Sequence, residues 1–303
     1  MPPVRLDSPA QRAVTEWEES PRRARDADFS LRRLSTTDEF DDAVALQHDV
    51  WGDRFAEVVP AGVLRVVQYV GGVVAGAFTD TGELAGFVFG VSGIRDDRLS
   101  HWSDTLAVQQ KYRNRGIGED LKRFQRDLLL PLGVERVYWT FDPLESKNAY
   151  LNFNRLGVTA AEYRRDFYGA THSRLHDEIG TDRLVALWEI GAPRIAELLD
   201  GTRPRAALTD EMLSGSPLVN ETFEGVAGPV SGEPNLELSA PLVRIAIPAD
   251  IQQLKAQSPQ AAREWRRVTR LAFEAYFARG FSASALVRRG PCSEYLLELD
   301  DVS

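Results

Sequence analysis

The sequence predicts an α/β fold with a small α+β extension at its C-terminal end. Apolar runs of strand length alternate with amphipathic helical segments over residues 29–189. Within this stretch a strand, a glycine-containing loop and a helix follow one another over residues 102–129. Residues 201–240 are rich in Gly, Pro, Ser and acidic residues, which is typical of a surface connection. The chain is therefore expected to fold as a larger α/β part followed by a smaller one.

The first elements are predicted to be a strand, two helices and a hairpin. Residues 29–34 have the pattern of a strand, and the run Thr36-Thr37-Asp38-Glu39 supplies an N-cap and capping box for the helix that follows. A second helix begins at Pro60 and ends at Gly71-Gly72. The apolar runs VVAGAFT and LAGFVFGV then form two strands around the turn Asp80-Thr81-Gly82.

The later elements of the larger part continue the alternation of strands and helices. They comprise a strand at 102–108, a loop at 113–118, a helix to Leu129 stopped by Pro131 and Gly133, a strand at 136–141, a helix at 143–156 closed by Gly157, and strands at 161–167 and 184–189. In Asp142-Pro143-Leu144-Glu145 the N-cap, the proline and the acidic third position indicate a helix start, so Asp142 is assigned a structural role.

Four segments follow from this pattern. Residues 1–28 are charged and contain prolines, and are predicted to be a mobile or peripheral arm. Residues 29–200 form the main domain, residues 201–240 the linker, and residues 241–303 the C-terminal α+β extension. The extension is predicted to hold strands at 242–247, 281–287 and 295–299, and a helix at 259–279.

The predicted helix at 259–279 has a wide apolar face and a basic one. The apolar face predicts packing against the main domain or against a second copy of the chain, which would make a homodimer. The basic face is expected to be solvated. The apolar stripe comprises Trp265, Val268, Ala272, Ala275 and Tyr276, and the basic residues are Arg263, Arg266, Arg267 and Arg270.

Composition excludes several classes of protein. The formal net charge of −9 argues against a nucleic-acid-binding protein, because phosphate neutralisation needs a concentrated basic face. No apolar run is long enough to cross a bilayer, so no membrane partner is expected. The first residues lack the apolar core of a secretory signal, and the single cysteine, Cys292, cannot form an internal disulfide. The expected location is the cytoplasm.

One basic patch stands out in this acidic chain, and it coincides with the glycine loop. Six basic and two acidic residues lie between Lys111 and Arg126. A glycine loop between a strand and a helix lets backbone N–H groups approach a diphosphate. Neither the Gly-Lys-Ser/Thr of a Walker loop nor the third glycine of a dinucleotide fingerprint is present. The alternative is a plain tight turn at Gly116 and Gly118 with solvated arginines.

The run DTLAVQQKYRNRGIGEDLKRFQRDLLLPLGVERVYWTFDPLESKNAYLNFNRLG resembles the GNAT acyltransferase superfamily, and the resemblance extends over about residues 29–189. It implies a mixed, mostly antiparallel sheet with a splayed central strand pair and flanking helices. It also implies an acyl-CoA co-substrate and no metal. Residues implied for CoA binding are Leu106, Ala107 and Val108 along the pantetheine arm, Arg113, Asn114, Arg115, Gly116, Ile117 and Gly118 at the pyrophosphate, and Asn148 near the arm. The alternative for Asn148 is a plain helix-surface asparagine.

Catalysis requires a neutral amine, a stabilised oxyanion and a proton for the CoA thiolate. In the family resembled, the strand entering the loop supplies the base, and Asp104 stands there. Trp102 shares its strand face and His101 lies just upstream, so both are substrate-binding candidates. The alternatives are that Asp104 caps a strand or binds an arginine, and that His101 is a core histidine.

The proton donor departs from the family pattern. The resemblance aligns Phe153 with a position where a tyrosine often protonates the leaving thiolate. Tyr150 is the substitute chosen, against the alternative that it packs on the helix face. Asn152 and water are further candidates.

The function predicted is N-acyl transfer from CoA to the amine of a small molecule, with acetyl-CoA as donor and succinyl-CoA as an alternative. The weak acid and base set favours an amino acid's α-amine, whose pKa is about 8, over a lysine amine near about 10.4. The rival hypothesis is a non-catalytic acyl-CoA-binding or sensing protein.

Overall fold

A computed structural model describes residues 22–169, 179–202 and 215–299. The chain divides into two compact units, one ending at Val137 and the other beginning at Tyr138. This division falls within the strand Arg136–Phe141, whereas the predicted linker 201–240 lies inside the second unit. None of the helices in the described ranges is long and apolar enough to span a membrane.

The first unit contains an antiparallel sheet whose strands neighbour one another in chain order. Its members are β1 (Arg22–Arg23), β2 (Phe29–Arg33), β3 (Val73–Thr79), β4 (Leu84–Arg95) and β5 (Arg98–Val108). The strands β3 and β4 were expected from the sequence. The turn that joins β4 to β5 was not predicted. Asp96 and Asp97 form it with positive φ, 52° and 57°, and an Asp-Asp pair is a sequence signal for such a turn because aspartate tolerates this conformation.

From residue 22 onward, three α-helices accompany this sheet: α1 (Thr37–Trp51), α2 (Ala61–Tyr69) and α3 (Ile117–Leu129). The predicted capping box at the start of α1 is confirmed, since the Thr36 side chain accepts from the Glu39 backbone N–H and the Glu39 carboxylate binds the Thr36 backbone. The core under α1 and α2 is aliphatic and aromatic, and its members include Leu34, Phe40, Leu46, Leu64, Phe78, Phe87 and Phe89.

The second unit contains a sheet in the order β6-β8-β7-β12-β13-β11 and a separate hairpin, β9–β10. Ala160 of β7 pairs with Ala283 of β12, so the C-terminal strands extend the sheet of the preceding segment. The bounds are β6 (Arg136–Phe141), β7 (Thr159–Arg164), β8 (Arg183–Glu189), β9 (Thr222–Gly225), β10 (Gly228–Ser231), β11 (Leu242–Pro248), β12 (Phe281–Arg289) and β13 (Cys292–Leu299).

The helices of the second unit differ in part from the prediction. Among the residues that the structure describes, they are α4 (Ser146–Tyr150), which continues as a π-helix over Leu151–Leu156, α5 (Pro193–Asp200), α6 (Ile251–Gln257) and α7 (Pro259–Ala278). The sequence did not predict α5, although Pro193 at its start and Gly201 after its end are the usual signals.

Asp142 does not cap a helix, so the capping-box prediction for it was wrong. Its carboxylate is buried, accepts the Leu144 backbone N–H at 2.8 Å and pairs with Arg266 Nη2 of α7 at 2.6 Å. Arg270 likewise donates to Asp182, at 2.7 and 2.8 Å. The arginine side of α7 is therefore partly buried against carboxylates, which corrects the expectation of a solvated basic face.

Candidate functional site

The strand β5 contains an irregularity at Asp104. Ser103 pairs with Gly90 and Thr105 with Phe89, so Asp104 has no Cα partner on β4. An extra residue of this kind is a β-bulge, which bends a strand and redirects a side chain. The bulge lies two residues before the segment Leu106–Val108, which pairs with β4 through Val88, Phe87 and Gly86.

The Asp104 carboxylate is exposed and held by neighbours on its own strand. It accepts a hydrogen bond from Trp102 Nε1 at 3.3 Å and from Thr105 Oγ1 at 3.1 Å. Both donors orient the carboxylate while leaving lone pairs for an incoming N–H. The predicted pairing of Trp102 and Asp104 on one strand face is thus present as a direct contact.

The loop after β5 leaves a row of backbone N–H groups without protein acceptors. Asn114 and Gly116 both have left-handed backbones, with φ of 65° and 82°, and Gly116 is the N-cap of α3. Within the described ranges, the backbone N–H groups of Arg115, Gly116, Ile117 and Gly118 donate to no protein acceptor, and the first helical bond comes from Asp120. Successive unpaired N–H groups at a helix start attract anions.

The two loop arginines are placed differently. Arg113 Nε donates to the Val108 carbonyl at 3.2 Å, and its guanidinium makes no ion pair with any described residue. Arg115 pairs with Asp26 at 2.7 Å and with Asp28 at 2.5 Å, and it stacks over the Phe29 ring at 4.6 Å. Arg113 is consequently the loop cation that is available to an anion, whereas Arg115 is engaged.

The carboxylates that hold Arg115 come from the predicted N-terminal arm. Residues 1–21 of that arm lie outside the described ranges. Residues 22–28 form β1 and a turn, closed by the bonds from Ala24 N to Phe29 O at 2.9 Å and from Phe29 N to Asp26 O at 3.1 Å. This hairpin, which we call the N-terminal hairpin (residues 22–33), lies against the loop and α3.

The basic patch is less basic than its composition suggests. Besides Arg115, three of its members have acidic neighbours: Lys111 pairs with Glu83 at 2.5 Å, Arg123 with Glu119 at 3.0 Å and Arg126 with Asp127 at 3.5 Å. The acidic residues lie both inside and far outside the patch in sequence. The loop features that these acidic neighbours do not engage are the backbone N–H groups and Arg113.

His101 is buried in a polar chain between β4, β5 and α3. The amide of Gln125 donates to its Nε2 at 3.1 Å, so the proton sits on Nδ1, which donates to Ser92 Oγ at 3.0 Å. Burial, followed by the charges of Lys122 and Arg33, lowers the pKa of His101 to about 3. These contacts favour a neutral structural histidine over a substrate contact.

Lys122 continues the same chain. Its Nζ donates to Ser103 Oγ at 2.7 Å, and Ser103 in turn donates to Gln125 Oε1 at 2.9 Å. Burial lowers the pKa of Lys122 to about 7. The network fixes β5 on α3 immediately beside the bulge. The sequence did not predict this polar network. The feature that could have indicated it is the i,i+3 spacing of Lys122 and Gln125 on the apolar side of the helix.

The remaining predicted residues lie in the second unit. Asn148 is exposed on α4, and the Arg288 guanidinium lies over the Tyr150 ring at 4.4 Å. Phe153 is 3 % exposed and packs edge-on against Phe141 and Tyr295, with ring centroids 5.8 and 5.7 Å away. This aromatic packing offers a physical reason for phenylalanine at that position.

The described ranges contain no group of three or more His, Cys, Asp or Glu side chains that could hold a metal ion. No protein-family model matches the chain, and no curated protein matches it.

Solved structures of several acetyltransferases are similar to this chain over about half of its length. The ribosomal-protein-S18-alanine N-acetyltransferase from Escherichia coli matches at 20% identity and a TM-score of 0.42, covering 54% of this chain and 95% of that one. Aminoglycoside 6'-acetyltransferase type Ii matches at 15% identity and a TM-score of 0.42, covering 54% of this chain and 97% of that one. A GNAT family acetyltransferase from Elizabethkingia anophelis with acetyl-CoA bound matches at 16% identity and a TM-score of 0.39, covering 54% of this chain and 98% of that one.

Proposed function

We propose that this chain is an N-acyltransferase that moves an acyl group from a CoA thioester to the amine of a small molecule. The observation that carries the proposal is the row of unpaired backbone N–H groups from Arg115 to Gly118 at the start of the 13-residue helix α3. A diphosphate fits this row because its oxygens accept several N–H bonds at once and its charge interacts favourably with the helix dipole.

The donor is proposed to extend from the loop along β5. Its diphosphate would bind the loop N–H groups and Arg113, and its pantetheine arm would follow Leu106–Val108, with Asn148 as a further contact. Acetyl-CoA is the proposed donor, and succinyl-CoA is the alternative. No metal is required for this chemistry, because CoA thiolate is a good leaving group and the attacking amine is a nucleophile once neutral.

In the proposed reaction the amine nitrogen attacks the thioester carbonyl carbon. A C–N bond forms, the C–S bond breaks, the nitrogen loses a proton and the sulfur gains one. Asp104 is proposed to accept the amine proton, directly or through one water, because it is exposed at the bulge beside the arm-binding segment. Tyr150 is proposed as the proton donor to sulfur, and Trp102 as an acceptor contact.

The acceptor is proposed to be an α-amine. Its pKa of about 8 leaves a useful neutral fraction near neutral pH, whereas a lysine side chain near about 10.4 needs a stronger base. Carboxylate side chains are in general weaker bases than amines, which suits the first kind of amine. The expected acceptors are amino acids or compounds that carry a comparable amine.

A second candidate function is acyl-CoA binding without catalysis. The observation in its favour is Phe153, which has no hydroxyl and is enclosed by aromatic rings. Such a protein would keep the loop and lack turnover.

Release of free CoA thiol tests the two candidates. Purified protein is given acetyl-CoA or succinyl-CoA with pools of L- and D-amino acids, polyamines and aminoglycosides. Amine-dependent thiol release identifies an acyltransferase and its acceptor class, and Asp104→Asn should then lower kcat by about 100-fold or more while leaving CoA affinity unchanged. CoA binding without release would favour the sensing protein, and no CoA binding would overturn both.

A further inference from the structure

The N-terminal hairpin contacts the loop through Arg25, a residue that the proposed function does not use. Arg25 Nε donates to Asp120 Oδ1 at 2.5 Å, and its backbone N–H donates to Asp120 Oδ2 at 3.1 Å. Its Nη1 binds Glu119 Oε1 at 2.8 Å, and its Nη2 lies 3.4 Å from the Gly116 carbonyl oxygen. One side chain therefore joins the N-cap of α3 to both acidic residues of its first turn.

These two acidic residues create a difficulty for an anion site. Glu119 and Asp120 follow directly on the unpaired N–H groups, and their side chains are only 4 % exposed. Carboxylates favour a helix start in the absence of a ligand. Beside a diphosphate, however, two poorly solvated negative charges would repel it.

Arg25 removes most of that repulsion. Its guanidinium contacts both carboxylates, and Arg123 adds a second positive charge at Glu119, 3.0 Å away. The two guanidinium groups balance the two carboxylates, and the nearby acids raise the pKa of Arg25 even though burial alone lowers it. The first turn of α3 then presents its N–H groups without a net negative charge behind them.

We propose that Arg25 is a positioning residue of the diphosphate site: it neutralises Glu119 and Asp120 and fixes the N-cap so that the loop N–H groups bind the donor. This inference rests on the proposed function. Arg115 supports the position of Arg25, because its ion pairs with Asp26 and Asp28 hold the hairpin that carries Arg25 against the loop.

The test is CoA affinity, measured by titration calorimetry on the full chain. Arg25→Met should weaken CoA binding by about tenfold to 100-fold, the range expected for lost charge compensation. The loss should be equal for 3′-dephospho-CoA, which keeps the diphosphate, and absent for pantetheine, which lacks it. Arg25→Lys should recover part of the affinity. An equal loss with pantetheine would overturn the proposal.

A second comparison separates charge from attachment of the hairpin. Arg25→Met combined with Asp120→Asn should bind CoA more tightly than Arg25→Met alone, because the uncompensated carboxylate is gone. No recovery would overturn the electrostatic role. Arg22→Met is the matched control, since Arg22 belongs to the same hairpin but pairs with Asp127, at 2.5 Å, near the other end of α3. It should leave CoA affinity within twofold of the wild type.

Failure of the proposed function would be seen in the wild-type protein, whereas failure of the role of Arg25 would be seen only in the variant. If the wild-type protein binds CoA no better than pantetheine, the diphosphate site itself is wrong. If the wild type prefers CoA and Arg25→Met preserves that preference in a folded protein, only the role of Arg25 is wrong. Thermal unfolding of each variant establishes that it is folded.

Discussion

Arg113 and Arg115 are two positions apart in one loop, yet they contact different groups. Arg113 makes no ion pair with a described residue, whereas Arg115 holds two carboxylates of the N-terminal hairpin. The sequence predicted the same role for both, because it gave no indication that Asp26 and Asp28 would approach. An anionic donor is therefore expected to depend on Arg113 more directly.

Replacing Arg113 tests this difference. Arg113→Gln should weaken CoA binding by about tenfold to 100-fold, since a hydrogen bond to a charged partner contributes about 1.5–3 kcal/mol. Arg126→Gln is the control: it makes the same charge change near the end of α3, where Arg126 adjoins Asp127. Equal weakening in the two variants would mean that only net charge matters.

His101 gives a prediction for stability. Its pKa is about 3 in the folded chain and about 6.5 when unfolded, so the unfolded chain binds the extra proton first as pH falls. The contribution of neutral His101 to the free energy of unfolding is present above pH 6.5 and is lost progressively toward pH 3, by roughly 4 to 5 kcal/mol. In urea unfolding, His101→Asn should flatten this part of the profile. Ser92→Ala removes a hydrogen bond but no titrating group, so it should keep the slope.

At the scale of elements, the site depends on how β5 passes into α3. The sequence predicted strand, loop and helix correctly, because Gly116 and Gly118 interrupt two clear apolar patterns. It could not predict the bulge at Asp104 or the polar chain through His101, Gln125 and Lys122. Both depend on which residues β4 and α3 place opposite β5, and that is set by the tertiary fold.

Gly116 provides the prediction for this element. Gly116→Val should abolish CoA binding, because a side chain at φ 82° is strained and its Cβ would lie 3.2 Å from Arg25 Nη2 beside the N–H row. Gly133→Val is a matched control after the other end of α3. It has a similar φ of 79° and nothing within 4 Å of the added Cβ. Titration calorimetry should show binding lost in the first variant and kept in the second, and the reverse would exclude this loop as the site.

At the scale of the whole molecule, the sequence predicted the α/β class and most elements, but not which distant strands pair with one another. Composition at 201–240 suggested a linker, but strand pairing joins β7 to β12 across it. A single sequence shows where strands are, and not which distant strand each one pairs with. The same limit hid the partner of Asp142, which lies 124 residues away in α7.

That partner gives a prediction for the second unit. Asp142→Asn leaves the buried Arg266 without its counter-charge, and should lower the free energy of unfolding by about 3–5 kcal/mol. Combining it with Arg266→Met should cost less than the sum of the two single changes. Urea unfolding followed by tryptophan fluorescence measures both. Arg165→Gln, which breaks the exposed pair with Glu274, is the control and should have little effect.

The reaction rate of the single cysteine reports how often the sheet around it opens. Cys292 is 5 % exposed on β13, between partners on β11 and β12, and burial raises the pKa of its thiol. A disulfide reagent should thus ignore it while the sheet is closed. Any fast thiol signal in an activity assay then belongs to released CoA, and the slow labelling of Cys292 measures how often this edge of the second unit comes apart.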